Sequence, residues 1–168
     1  MTRENVFNKT SIYISHIGIR IHHIDATRPW GGFFVINEQD AAKFITHFFP
    51  EIKKEDLLEG AKLSPKILLV EPGKKLSWQY HHRRAEIWKL IQGKAAVATS
   101  DTDEEKSRVI LNIGDIIKLK QGERHRLIGL EGDWGIVAEI WMHTDHTNPS
   151  DEDDIVRLQD DFGRGAKV

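Results

Sequence analysis

The chain has 168 residues, of which 39% are hydrophobic and 30% are charged, which is typical of one globular domain with a short appendage. Its formal net charge is -2 and it has no cysteine, so disulfides and thiolate metal sites are excluded, and the overall charge gives no indication of nucleic-acid binding. No apolar run approaches the roughly 20 residues of a membrane-spanning helix, and the N-terminus lacks the apolar stretch of a secretory signal. We therefore expect a cytoplasmic protein that binds neither nucleic acid nor membrane.

Residues 1–65 are expected to form an N-terminal extension that packs on the domain that follows. Isoleucines recur at nearly every second position over residues 12–24, and this pattern predicts an edge strand. Because an isoleucine-rich edge favours aggregation when it is left open, we expect this strand to be covered or to be exchanged in a homodimer.

The rest of the extension predicts a turn and two short helices. Arg28-Pro29-Trp30-Gly31 interrupts the strand pattern. Asn37 is placed to cap a helix whose apolar stripe runs over residues 41–49. A second short helix is predicted over residues 51–59, where Gly60 would close it.

Residues 66–168 predict an all-β barrel with a C-terminal tail. Short apolar runs rich in β-branched residues follow one another, and glycine-containing turns separate many of them, which is typical of a sandwich or a barrel. Residues 143–168 are polar and predict a mostly irregular tail. The predicted strands lie near residues 66–71, 75–81, 86–91, 94–99, 107–112, 115–119, 125–129 and 134–142.

Four polar side chains of this domain suit a divalent transition metal. Because side chains alternate along a strand, Gln79 and His81 share one face of theirs. Glu86 begins the next predicted strand and His125 begins a later one. Imidazole, carboxylate and amide oxygen are suitable ligands, so such groups from different strands predict an open metal site whose remaining positions are filled by water.

Two spaced motifs resemble those of the cupin superfamily. In the first, Gln79 stands where cupins have their first His, and in the second Lys120 replaces the usual Pro and Gly129 the final Asn. The resemblance implies a double-stranded β-helix (a jelly-roll barrel) that holds a divalent ion, with zinc preferred over manganese, iron or nickel. It also implies the ligand set Gln79, His81, Glu86 and His125. The motifs read Gly73-x5-Gln79-x-His81-x4-Glu86-x6-Gly93 and Gly114-x5-Lys120-x-Gly122-x2-His125-x3-Gly129.

Four further segments narrow the resemblance to the type II mannose-6-phosphate isomerases, in which this cupin often follows a sugar-nucleotide transferase. The similarity covers residues 28–36 and 66–164, whereas Arg83 and Ile87 stand where that family has His. It implies a metal-dependent aldose–ketose isomerase that acts on a phosphorylated sugar. The segments are Arg28-Pro29-Trp30-Gly31, Gln79 to Trp88, His125-Arg126-Leu127, and Glu152 to Arg157 continuing through Asp161 to Arg164.

Three residues are candidates for the catalytic chemistry. Arg84 matches the Arg in the His-Arg-Ala-Glu segment of that family, where this residue is linked to isomerisation. Isomerisation also needs a base within reach of a carbon-bound proton, and Glu139, Lys120 or a hydroxide on the metal are the alternatives. Glu139 is available only if it faces the interior together with Val137 and Trp141; in the opposite register it is external.

Three arginines, Arg126, Arg157 and Arg164, are candidates for a phosphate clamp, because a guanidinium fork matches the geometry of phosphate oxygens. Each of them is equally explained as a solvated surface charge. The alternative to the enzyme is a non-catalytic, metal-containing cupin that binds a sugar, since one barrel supports many functions. An iron oxygenase is disfavoured because Gln79 replaces a histidine ligand.

Overall fold

The computed structural model describes residues 1–57 and 61–164. Within these ranges the protein is mostly β, with eleven strands and two α-helices, and Lys54–Asp56 forms a 3-10 turn inside the second predicted helix. Gly60, the predicted end of that helix, lies outside the described residues. The bounds are α1 Arg3–His16, β1 Ile21–Arg28, β2 Gly31–Ile36, α2 Ala41–Phe48, β3 Lys66–Val70, β4 Trp78–Tyr80, β5 Arg84–Gly93, β6 Ala95–Ser100, β7 Val109–Ile110, β8 Ile116–Leu119, β9 Arg124–Gly129, β10 Gly135–His143 and β11 Val156–Gln159.

The strands form two antiparallel sheets that face each other. The first has the order β1-β2-β3-β10-β5-β8 and the second the order β11-β4-β9-β6-β7. Strands that are neighbours in space are often distant in the sequence, as in the pairing of β3 with β10, which is the pattern of a jelly roll rather than of a simple meander. This arrangement confirms the predicted all-β jelly-roll barrel with a small helical part.

The predicted strand over residues 12–24 is wrong, because most of its first half belongs to α1. Thr2 caps this helix by accepting a hydrogen bond from the backbone N–H of Asn5. The residues that α1 buries recur at helical spacing and are Val6, Phe7, Thr10 and Ile14. Strand β1 begins only at Ile21. The homodimer that was inferred from the longer strand stays a prediction.

Three apolar clusters form the core of the described residues, and the two larger ones lie on opposite faces of the first sheet. One fills the barrel between the sheets and contains Trp88, Leu127 and Val137. The other lies on the outer face of the first sheet, where Phe44 of α2 and Phe34 of β2 pack with residues of α1, β3 and β10. Side chains of β10 therefore alternate between the two clusters, and this alternation decides which of them face the barrel interior.

The predicted irregular tail contains one further strand. β11 pairs with β4 through Val156 opposite Tyr80 and Arg157 opposite Gln79. The tail is thereby fixed against the second sheet next to the first cupin motif, and Asp154 just before β11 is buried.

Two glycines are explained by close backbone contacts. A Cβ on Gly93 would lie 1.7 Å from the carbonyl oxygen of Trp134, and the φ of Gly93 is +78°. A Cβ on Gly129 would lie 2.1 Å from the carbonyl oxygen of Glu71. The packing at Gly129 leaves no room for a side chain, which accounts for its departure from the Asn of the second cupin motif.

The boundary predicted at residue 65 is crossed by backbone pairing. β2 pairs with β3 over five registered positions, from Gly31 opposite Val70 to Val35 opposite Lys66. The division into residues 1–65 and 66–168 stays a prediction. In the part of the chain that the structure describes, neither helix has the length and apolar character needed to cross a membrane.

Candidate metal centre

The four predicted ligands meet inside the barrel. Gln79 lies on β4 opposite His125 of β9, Glu86 lies on β5, and His81 follows β4 directly. All four side chains are buried. One ligand atom from each of His81, Glu86 and His125 lies within 4.8 Å of the other two. These three side chains are thus close enough to bind one ion together.

Two buried atoms of this group indicate that a cation binds between them. Glu86 Oε2 and His125 Nε2 are buried and have no hydrogen-bond partner among the described residues, and they lie 3.7 Å apart. A buried polar atom without a partner costs about 1–3 kcal/mol. A shared ion would satisfy both atoms, and two imidazoles with a carboxylate are ligands that divalent transition metals accept.

Backbone carbonyls fix the orientation of both imidazoles. Nδ1 of His81 lies 2.6 Å from the carbonyl oxygen of Asp154, and Nδ1 of His125 lies 2.9 Å from that of Glu123. A carbonyl can only accept a hydrogen bond, so Nδ1 carries a proton in each ring. Whenever such a ring is neutral, its Nε2 is the atom left to coordinate, and fixing the ring in this way is the usual role of a second hydrogen bond on a metal-binding histidine.

The charges of the group match this arrangement. Burial lowers the pKa of His125 to about 4, so its ring is neutral near pH 7. Burial alone would raise the pKa of Glu86, but His81 and Arg84 beside it hold that pKa well below its usual value. The centre therefore presents a carboxylate and a neutral imidazole at neutral pH, which are the protonation states that a metal requires.

Gln79 lies beside the three ligands with its amide turned. Its Nε2 faces His81 Nε2 at 3.5 Å, and its Oε1 accepts a hydrogen bond from Ser77 Oγ at 2.7 Å. Coordination through the oxygen would need a rotation of the amide by about half a turn, since only the oxygen can be a ligand. Its place as the fourth ligand stays a prediction.

Arg84 is directly next to the candidate ligands. Its Nε donates to Glu86 Oε1 at 2.7 Å, its Nη2 lies 3.2 Å from His81 Nε2, and its guanidinium carbon is 3.6 Å from the centroid of the Trp141 ring. Its side chain is buried. The structure brings Arg84 to the centre, and its link to isomerisation stays a prediction.

Glu139 faces the barrel interior, which settles the register that the sequence left open. It lines a cavity of about 330 Å³ together with Gln79, Arg84 and Glu86. Trp88 Nε1 donates to its Oε2 at 2.6 Å and Trp141 Nε1 to its Oε1 at 2.8 Å. Burial and the nearby charge of Glu86 raise the pKa of Glu139 to about 7, against the opposing effect of Lys66. A carboxyl group with this pKa can exchange a proton near neutral pH.

Two of the three predicted phosphate ligands line the cavity. Arg157 comes from β11, and its Nε is buried without a partner in the described part of the chain. Arg164 follows it and forms a forked ion pair with Asp160, with distances of 2.8 and 3.0 Å. Both arginines reach the cavity only because β11 lies against β4.

Arg126 and Lys120 lie elsewhere. Arg126 is buried outside the barrel interior, where its guanidinium donates to the carbonyl of Leu76, to Glu105 and to Gln159. These bonds tie β9 to β11 and to the loop after β6, so the predicted phosphate contact does not fit its position. Lys120 is exposed on the loop after β8 and does not line the cavity.

Two cations of the cavity were not singled out from the sequence. Lys66 at the start of β3 is buried, donates to Glu152, and lies 4.1 Å from the centroid of the Trp141 ring. Burial lowers its pKa to about 8. Arg28 at the end of β1 lines the cavity and pairs with Asp25 at 3.0 Å. The alternation of side chains along a strand did not predict that either residue faces the cavity, because Lys66 begins its strand and Arg28 ends its strand.

The sequence match to a known family agrees with this barrel and this centre. The family described as Mannose-6-phosphate isomerase C-terminal matches residues 38–160. The chain belongs to this family. Residues 38–65, for which the sequence alone indicated no counterpart, fall within the matched range.

The curated relatives of this chain are considerably longer proteins. The xanthan biosynthesis protein XanB of Xanthomonas campestris pv. campestris is 34% identical over 142 residues, which is 84% of this chain and 24% of that protein. The alginate biosynthesis protein AlgA of Pseudomonas aeruginosa is 26% identical over 149 residues, covering 87% and 24%. The mannose-1-phosphate guanylyltransferase of Escherichia coli K12 is 29% identical, covering 84% and 23%. The chain thus spans about a quarter of the length of these relatives.

Solved structures support the fold. The capsular polysaccharide assembling protein CapF of Staphylococcus aureus superposes with a TM-score of 0.53 at 11% identity, covering 95% of this chain and 42% of that one. A second CapF structure gives a TM-score of 0.52 at 14% identity, covering 82% and 32%. At such identities the similarity shows the shared architecture alone.

Proposed function

We propose that this protein is a metal-dependent aldose–ketose isomerase of a phosphorylated sugar, with mannose 6-phosphate as the first substrate to test. The observation that carries the proposal is the position of Glu86, which forms the candidate metal group with His81 and His125 and lines the same cavity as the carboxylate of Glu139. The family match supports the same sugar chemistry. A bound divalent ion, zinc before manganese, iron or nickel, would supply Lewis-acid polarisation of the substrate oxygens.

Glu139 is the base in this proposal. Isomerisation moves a proton from C2 of the aldose to C1, while a hydroxyl proton passes from O2 to O1. Glu139 accepts the proton from C2 and returns it to C1, so that the carboxyl group ends as it began. The indole N–H groups of Trp88 and Trp141 hold both of its oxygens in place. Such positioning is what makes a single carboxylate an efficient proton carrier.

Cationic side chains on the cavity wall bind the phosphate in this proposal. Arg157 and Arg164 lie on and after β11, and Arg28 and Lys66 line the same cavity from the first sheet. The Nε of Arg157 has no partner among the described residues, so it is the donor with most to gain from a phosphate oxygen. This arrangement favours a sugar with a terminal phosphate over an uncharged sugar.

The experiment measures metal content and turnover of the same preparation. Purified protein is freed of metal with a chelator, reloaded with zinc, manganese, iron or nickel in turn, and assayed for conversion of mannose 6-phosphate and other sugar phosphates into ketose phosphates. We expect turnover that depends on one of these ions and that is lost in His125→Ala. His23→Ala is the matched control, because His23 is exposed on β1, and it should retain both metal and turnover.

The outcomes separate the enzyme from its alternative. Metal-dependent binding of a sugar phosphate without any turnover would contradict the isomerase and support the non-catalytic binding protein. A wild-type protein that takes up none of the four metals would overturn the metal centre itself.

A further inference from the structure

A short segment before β11 contacts two side chains of the candidate metal centre. This segment, residues 150–154, is called here the 150–154 strap. Its Asp154 carbonyl oxygen is the partner of His81 Nδ1 at 2.6 Å. Its Ser150 Oγ and Asp151 carbonyl accept from Arg84 Nη1 at 2.9 and 3.0 Å. The strap therefore touches both a candidate metal ligand and the arginine beside it.

The side chain of Asp154 holds this strap against the first cupin motif. Its Oδ1 accepts from the backbone N–H of His82 and its Oδ2 from that of Arg83, both at 2.9 Å. Oδ2 also accepts from Ser150 Oγ at 2.6 Å. Asp154 is only 4% exposed, so its carboxylate has little contact with water. These three donors therefore supply its hydrogen bonds. These bonds join the strap to the two residues that directly follow His81.

We propose that Asp154 is a positioning residue of the metal centre, which holds the 150–154 strap so that His81 presents a bare Nε2 to the ion. The inference rests on the proposed metal centre. Its physical basis is tautomer choice: a free imidazole can carry its proton on either nitrogen, and a fixed carbonyl acceptor selects Nδ1–H. Releasing the strap removes the acceptor, so the ring rotates and its Nε2–H form becomes populated.

Three variants test this role, with Zn²⁺ alone as the probe. Asp154→Asn replaces one acceptor oxygen by an NH₂ group, which cannot accept a backbone N–H. Ser150→Ala removes one of the three donors and is a milder change. Asp161→Asn is the matched control, because Asp161 is an exposed carboxylate on the turn after β11. Zinc affinity is measured by competition with a chromophoric chelator, and the tautomer of His81 by long-range ¹H–¹⁵N correlation in the metal-free protein.

We expect Asp154→Asn to weaken zinc binding by roughly 10- to 100-fold, as the loss of a ligand's supporting hydrogen bond does in metalloproteins. We also expect His81 of this variant to show the Nε2–H form. Ser150→Ala should move both quantities in the same direction by less, and Asp161→Asn should leave both unchanged. A purely structural role would lower thermal stability and leave the zinc affinity and the tautomer as they are in the wild type.

The inference is overturned if the folded Asp154→Asn protein binds zinc within about twofold of the wild type and keeps the Nδ1–H form. If Asp154→Asn does not fold, Ser150→Ala decides in the same way. A wild-type protein that binds no metal refutes the proposed metal centre instead, and the tautomer of His81 in the variants still decides the role of Asp154.

Discussion

At the scale of single residues, a substitution of Glu139 is the most direct test of the proposed chemistry. Glu139→Gln keeps the size of the side chain and removes the proton carrier, so we expect kcat to fall by ~10²- to 10⁴-fold while metal content stays unchanged. Glu131→Gln, at an exposed carboxylate, is the control and should retain activity. Full turnover by Glu139→Gln would exclude Glu139 as the base. Steady-state kinetics with metal analysis decides between these outcomes.

The raised pKa of Glu139 predicts a pH dependence of turnover. The base must be ionised, and burial together with the charge of Glu86 raises its pKa to about 7. We therefore expect kcat/KM to fall as the pH drops below about 7 and to level off above it. The measurement is a pH–rate profile of the metal-loaded enzyme, with metal content checked at each pH. A profile that is flat from pH 6 to pH 8 would contradict the assignment.

The predictable part of the site is the part in which close sequence spacing fixes a shared strand face. Gln79 and His81 lie two positions apart, so alternation predicts that they share a face, whereas Glu86 and His125 lie on other strands and are joined to them by the resemblance to the cupin motifs. The same rule bears on Arg126: if His125 faces inward, its neighbour faces outward, and Arg126 indeed lies beneath β11. Asp154 could not be found in this way, because its contacts with residues 81–83 span more than 70 positions of the chain.

At the scale of elements, the N-terminal helix shows why a periodic pattern can mislead. Ile12 and Ile14 continue an alternation into the residues of β1, yet they lie in the last turns of α1, where Ile14 is buried and Ile12 is exposed. The helical spacing of Val6, Thr10 and Ile14 is visible only when the window begins before residue 12. By contrast, the stripe of α2 is short and is ended by a proline, so the predicted helix agrees closely with the observed one.

A bidentate ion pair joins the start of β1 to the start of α2. Asp40 accepts from the backbone N–H and the guanidinium of Arg20, with distances between 2.8 and 3.1 Å, and these bonds lower the pKa of Asp40 to about 2. Since the folded pKa lies below the ordinary value of 3.8, the unfolded chain binds more protons between the two values. The contribution of Asp40 to stability is therefore complete above about pH 4 and is lost as the pH falls toward 2.

We accordingly expect Asp40→Asn to lower the free energy of unfolding at pH 7. The difference from the wild type should shrink as the pH is lowered from 4 toward 2. Urea unfolding of both proteins at a series of pH values measures this difference. Asp101→Asn, at an exposed carboxylate, should show no such difference at any pH. A gap between Asp40→Asn and the wild type that stays constant down to the lowest pH would refute this account of the pair.

At the scale of the whole molecule, the question is whether the N-terminal extension and the barrel fold as one unit. The outer apolar cluster contains Phe44 of α2, Phe34 of β2 and Ile67 of β3, and β2 and β3 are hydrogen-bonded neighbours in the same sheet. Neither part can therefore separate without exposing apolar surface and breaking a strand pair. Small domains with such a shared core unfold in a single transition.

We expect the metal-free protein to unfold with coincident transitions in far-UV circular dichroism, which reports on α1 and α2, and in the fluorescence of its buried tryptophans, which reports mainly on the barrel. Phe44→Ala should move both transitions together and cost about 3–5 kcal/mol, because it leaves a cavity where the ring was fully buried. Ile12→Ala, at a side chain that is 70% exposed, should change stability by no more than about 0.5 kcal/mol. If Phe44→Ala lost its helical signal at low denaturant while the tryptophan transition stayed in place, the extension and the barrel would be separate folding units, and the boundary near residue 65 would be real.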